Sequence, residues 1–197
     1  MTKSRLEAFS DGVLAIIITI MVLQMKIPSG DSFKNLIPMF PMFLTYLGSF
    51  IYAGIYWNNH HHLFQTVQKV NGKILWSNLN LLFWLSFLPI TTEWMGANHF
   101  HSDPVALYGI ILILSAIAFK ILVHTIVKNE GKNSVIAKIY KNEKKENLSI
   151  LMYAFGISAA FINPYIGICF YLIPTLIWLI PDLRVEHNLK HFENKNE

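Results

Sequence analysis

The sequence has little charge, a single cysteine and none of the short motifs that mark common catalytic centres. Asp, Glu, Lys and Arg make up 14% of its 197 residues, against about a quarter in an ordinary soluble domain. Stretches 36–56 and 105–119 carry no charge at all, whereas 128–146 is crowded with it. Cys169 stands alone inside an apolar run, which excludes an intrachain disulfide. There is no Gly-x-Ser-x-Gly, no His-Glu-x-x-His and no pair of aspartates in facing apolar segments, so an intramembrane enzyme fits poorly. The net charge of +4 does not point to nucleic acid, because the lysines sit between apolar runs, where membrane topology accounts for them. Lys3 and Arg5 precede the first apolar run as in a signal peptide. However, Asp11 lies inside that run and no small-x-small cleavage site follows, so it reads as a retained first helix.

What is present is apolar length. Six segments stand out: 6–25, 36–56, 74–94, 105–127, 148–162 and 165–180. The first four have the ~20 residues a helix needs to cross about 30 Å of hydrocarbon. Residues 148–180 would make a helix of about 50 Å, too long for one crossing. Asn163-Pro164 divides them into a hairpin of two short crossings. The sequence therefore predicts an all-α, multi-pass membrane protein with six transmembrane helices. Residues 1–181 form the transmembrane domain and 182–197 a polar cytoplasmic tail. With the amino terminus inside, 13 of the 16 basic residues fall on the inner side, which supports an even number of crossings and cytoplasmic termini; the location expected is the cell membrane.

In lipid the informative residues are the polar ones, since each must find a partner. This topology brings Arg5, Ser10 and Asp11 of the first segment to one level near the inner face. Trp57 and His60, His61 and His62 of the second reach the same level, as does Asn78 of the third. One interhelical hydrogen-bonded layer is expected there. At about 100° per residue, Phe9, Ile16, Ile20, Leu23 and Ile27 fall within about 40° of one line. Asp11 lies about 140° from Ile16 and is expected to look into the subunit, toward His60 or Asn78. By pattern alone the Ile16 line reads as lipid-facing or core surface. The three consecutive histidines lack i, i+4 ligand spacing and a nearby acid, so a structural role is expected and no metal.

Several stretches resemble the transmembrane protein 175 family of potassium channels. The opening Arg5-Leu6-Glu7-Ala8-Phe9-Ser10-Asp11-Gly12 is similar to its R-x-x-x-F-S-D signature, followed by Ile16, Thr19 and Lys26-Ile27-Pro28. Trp57-Asn58-Asn59-His60-His61, Asn78, Pro89-x-Thr91 and Pro181-Asp182-x-Arg184 resemble it as well, in order along most of the chain. The resemblance implies a homotetramer of six-helix chains in membrane lipid, with the first helix lining a central pore. It implies a hydrophobic constriction at Ile16, a threonine layer at Thr19, and further pore-facing positions at Ile20 and Leu23. Arg5, Phe9, Ser10 and Asp11 are its structural motif, and potassium is the permeant ion, with no cofactor. The family lacks the Thr-Val-Gly-Tyr-Gly carbonyl loop, which this sequence lacks too. A ring of isoleucines closes a pore by dewetting, and potassium-over-sodium selectivity is expected to be modest. The competing expectation is a secondary cation transporter with helices broken at Pro89, Pro164 and Pro174.

Overall fold

A computed structural model describes residues 2–131, 133–140 and 144–179 of the chain. The expected tail, the 181/182 boundary and the Pro181-Asp182-x-Arg184 match lie outside these residues. Among the described residues the elements are helical throughout. They are α1 (Lys3–Leu23), a 3-10 segment (Phe33–Met39), α2 (Phe40–Gln65), α3 (Gly72–Leu85), α4 (Leu88–Ala97), α5 (Ser102–Glu130), α6 (Val135–Ile139), α7 (Lys144–Ala160) and α8 (Pro164–Leu179).

Local signals set the ends of these helices. The Thr2 side chain accepts the Arg5 backbone N–H to start α1, and the Asn71 side chain accepts that of Ile74 to start α3. The apolar segment 74–94 is not one helix: it breaks between Leu85 and Leu88, with Pro89 in the first turn of α4. Proline has no N–H to lose there. Pro38 and Pro41 mark the corresponding change from the 3-10 segment into α2.

Among the described residues four stretches are long and apolar enough to span a membrane: Lys3–Leu23, Phe33–Gln65, Gly72–Ala97 and Ser102–Glu130. The protein is thus a multi-pass, all-helical membrane protein. Helices α7 and α8, with 17 and 16 residues, fall short of ~20 and pack on each other as the hairpin expected around Asn163-Pro164. Gly156 and Gly167 permit that contact, since a Cβ on Gly167 would lie 2.8 Å from the Gly156 carbonyl oxygen.

Helix α5 is the central post. It packs on α3, α4, α7 and α8 and buries Val105, Leu112, Ala118, Leu122 and Ile126 along its length. Helix α1 leans on α2, α3 and α4 at one side of the bundle. That position gives α1 one buried face and one face that no other described residue covers.

Candidate pore-lining helix and its buried polar chain

The two faces of α1 follow from helical phase. Leu6, Ser10, Leu14, Ile17 and Met21, spaced by three or four residues, are buried. Opposite them Phe9, Ile16, Ile20 and Leu23 are 49%, 59%, 41% and 76% exposed. Arg5 and Thr19 are exposed as well, and at about 100° per residue Arg5 falls within about 20° of Ile16. The Thr19 hydroxyl donates to the Ala15 carbonyl oxygen at 2.8 Å. Its proton is therefore used within the helix, and its oxygen presents lone pairs outward. Among the described residues the unpartnered face thus runs from Arg5 through Phe9 to the aliphatic Ile16, Ile20 and Leu23, with one acceptor layer at Thr19.

Ser10, His60 and Asn78 meet inside the subunit, all three essentially solvent-free. Asn78 Nδ2 donates to Ser10 Oγ at 2.9 Å, and Ser10 Oγ donates to the Leu6 carbonyl oxygen at 2.9 Å. Nε2 of His60 lies 2.7 Å from Asn78 Oδ1. Because that oxygen only accepts, the network assigns the proton of His60 to Nε2. The chain runs His60, Asn78, Ser10, Leu6 carbonyl, each link with one donor and one acceptor, and it ties α2, α3 and α1 together. The His60 ring also stacks on Phe64 with centroids 4.5 Å apart. Neighbouring His61 and His62 instead reach Gln65, at 3.0 and 3.4 Å.

Asp11 does not join this chain. It is exposed, and its carboxylate accepts the indole N–H of Trp57 at 3.0 Å. Helical phase sets the angle of Asp11 from Ile16 but not the side on which the subunit packs. Ser10 lies about 120° from Ile16 one way and Asp11 about 140° the other way, and the bundle covers the Ser10 side. An indole donor at the flank gives the carboxylate a partner without burying the charge.

A second buried cluster escaped the sequence reading. Ser49 Oγ lies 2.7 Å from Thr92 Oγ1 and 3.0 Å from the Tyr108 hydroxyl. The Tyr52 hydroxyl donates to the Leu112 carbonyl oxygen at 3.1 Å. Its signal was present in α2, where Thr45, Ser49, Tyr52 and Tyr56 recur at helical spacing on one face.

These features can be set beside known proteins. A family model described as endosomal/lysosomal potassium channel TMEM175 matches residues 5–89, the part that holds α1, the buried chain and the Asp11–Trp57 pair. A potassium channel of Chryseobacterium sp. (strain P1-3) is 62% identical over 190 residues, 96% of this chain and 99% of that one. The chain belongs to the TMEM175 family. The crystal structure of a lysosomal potassium-selective channel TMEM175 homolog from Chamaesiphon minutus superposes with a TM-score of 0.76. It is 26% identical and covers 93% of this chain and 97% of its own. The endosomal/lysosomal proton channel TMEM175 of Homo sapiens is 34% identical over 105 residues, 47% of this chain and 21% of that protein. As a TMEM175 protein the chain keeps the whole signature from Arg5 to Asp11 on a helix whose outer face is open.

Proposed function

We propose that this chain is a potassium-permeable cation channel of the cell membrane, not an enzyme, formed by a homotetramer of six-helix subunits with both termini cytoplasmic. Helix α1 lines the pore, Ile16 forms its constriction, and Thr19, Ile20 and Leu23 continue the lining. The observation that carries this reading is the division of α1. Its inner face is satisfied by packing and by the Ser10–Asn78–His60 chain, while its outer face, largely apolar from Phe9 to Leu23, is unpartnered among the described residues. One chain with a single such helix encloses no path, whereas a symmetric ring of them does. The names of the bacterial relatives point to potassium as the ion.

The permeation mechanism follows from the side chains. A ring of Ile16 side chains dewets when narrow and blocks ions without a charged gate. When wide enough to conduct, it strips part of the ion's hydration, which costs more for the tightly hydrated sodium. The Thr19 oxygens replace some of the lost water contacts. Without a carbonyl cage the preference for potassium is modest.

The transporter alternative rests on broken helices, and the break before Pro89 is a tight one. Ser86 N–H still reaches the Leu82 carbonyl oxygen at 2.9 Å, and Thr91 N–H reaches that of Phe87 at 3.2 Å. Those backbone groups are occupied rather than turned toward an ion, which favours the channel. Recording from purified protein in planar bilayers under a potassium gradient tests the proposal. Unitary currents reversing toward the potassium potential are expected; saturable uptake without unitary currents would replace the channel by a carrier.

A further inference from the structure

The chain carries a second feature, remote from α1, at the end of the bundle where α3 begins and α5 finishes. An open groove of about 640 Å³ lies there between the first turns of α3 and the last turns of α5. Its polar floor is satisfied within the protein. Asn71 Oδ1 accepts the Ile74 N–H, and Asn71 Nδ2 donates to Asn129 Oδ1 at 2.6 Å. The Ser77 and Thr125 hydroxyls meet at 3.0 Å, and Thr125 donates to the Ile121 carbonyl oxygen. The helix end and the hydroxyl groups are therefore already occupied.

Two cations flank this floor. Lys73 and Lys128 are exposed in the groove wall, and among the described residues neither ammonium has a hydrogen-bonding or ion-pair partner. Among the described residues no carboxylate lines the groove. The nearest acid in sequence, Glu130, is turned to the Gln68 N–H and the Asn129 amide, both at 3.2 Å. Beside Lys73, Trp76 is 75% exposed, an indole at the level where membrane proteins anchor to headgroups. Farther along the helices the surface turns apolar. Leu79 and Phe83 continue from Trp76 on α3, and Ile121 and Ile117 descend α5, all of them exposed. The groove thus changes from dicationic to hydrocarbon-like over a few helical turns.

We infer that this groove binds an anionic phospholipid, its phosphate between Lys73 and Lys128 and its acyl chains along the exposed surface of α3 and α5. Charge complementarity selects the headgroup. A zwitterionic lipid brings a choline cation to the same two ammoniums, whereas a phosphatidylglycerol brings one net negative charge and no cation. The inference holds for the chain as a membrane protein whether or not α1 lines a pore.

The test uses the full chain reconstituted in phosphatidylcholine vesicles containing brominated phosphatidylglycerol or brominated phosphatidylcholine at equal mole fraction. Subtracting the emission of Trp76→Phe isolates the fluorescence of Trp76. Brominated phosphatidylglycerol is expected to quench Trp76 more strongly than brominated phosphatidylcholine. In Lys73→Gln/Lys128→Gln the preference falls by about fivefold per lysine, the equivalent of about 1 kcal/mol each. Lys73→Arg/Lys128→Arg keeps the charge and retains the preference. Equal quenching by the two lipids, or an unchanged preference in the Gln double variant, overturns the inference. No quenching of Trp76 by either lipid also overturns it, because protein rather than lipid would then cover the groove.

Discussion

Ser10 and Asp11 are adjacent on α1 yet serve opposite flanks of it: Ser10 accepts from Asn78 inside the subunit, and Asp11 accepts from Trp57 on its exposed side. One helical step of about 100° thus separates a buried neutral hydrogen-bonded chain from an exposed charged pair. The two halves of the same signature are therefore separable by experiment.

The Asp11–Trp57 pair should behave as a coupled unit that leaves the core intact. Asp11→Ala and Trp57→Phe each remove one side of a charge-assisted hydrogen bond, but Trp57 is half exposed. A coupling of about 0.5–1.5 kcal/mol is expected between them. Thermal unfolding of the single and double variants in detergent measures it. Strictly additive effects would mean that the bond contributes nothing.

Removing the centre of the buried chain should cost more. Asn78→Ala leaves His60 Nε2 without its acceptor and Ser10 Oγ without its donor, though Ser10 keeps the Leu6 carbonyl oxygen, whereas Ser10→Ala strands only Asn78 Nδ2. A loss of about 1–3 kcal/mol per stranded group is the upper expectation, with membrane hydrogen bonds often nearer 0.6 kcal/mol. The melting shift of Asn78→Ala should exceed that of Ser10→Ala. Equal or reversed melting shifts would show that Asn78 is not the hub.

The proposed topology is open to direct labelling. Ser134→Cys, before α6, should react with a membrane-impermeant thiol reagent only from the cytoplasmic side, and Ser102→Cys, at the start of α5, only from outside. The background is Cys169→Ala, since Cys169 is exposed on α8. Reaction of Ser134→Cys from outside would discard both the six-crossing count and the orientation.

Much of this architecture was legible because lipid makes sequence simple. Apolar length alone marked the segments that became α1, α2, α5 and the α7–α8 hairpin, and Asn163-Pro164 marked the turn. The break ahead of Pro89 was less visible, since Pro89 sits in an unbroken apolar run and its effect depends on the neighbouring fold. Ser10, His60 and Asn78 were assigned one level from topology, and their side chains do meet. Asp11 was misplaced because phase from Ile16 has no sign until the packed face is known. The Ser49–Thr92–Tyr108 cluster was missed for another reason. Single hydroxyls in apolar helices usually satisfy themselves on their own backbone, and only the tertiary fold brings these three together.

The same burial pattern decides which substitutions test the proposed constriction. Ile16 is 59% exposed on the unpartnered face, so Ile16→Asn removes no core contact within the subunit. In a tetramer it acts four times around one axis. Water then remains in the ring, the dewetting barrier falls, and the ion gains polar contacts. Conductance should rise and preference for potassium over sodium should fall, since partial dehydration is no longer demanded. Ile17, about 100° round, is an unsuitable control. It is only 3% exposed, and truncating it to Ala would cost roughly 2–5 kcal/mol of core packing. Val22 serves better, being 40% exposed and about 120° from Ile16 on the Asp11 flank. Val22→Ala should alter neither conductance nor selectivity greatly. Single-channel recording of Ile16→Asn and Val22→Ala in symmetric potassium and in mixed potassium–sodium solutions separates the outcomes. If Ile16→Asn conducts and selects like the unsubstituted protein, Ile16 is not at the constriction. If Val22→Ala carries the larger change instead, the pore axis faces the flank that holds Asp11, and the lining assigned to α1 must be rotated to that side.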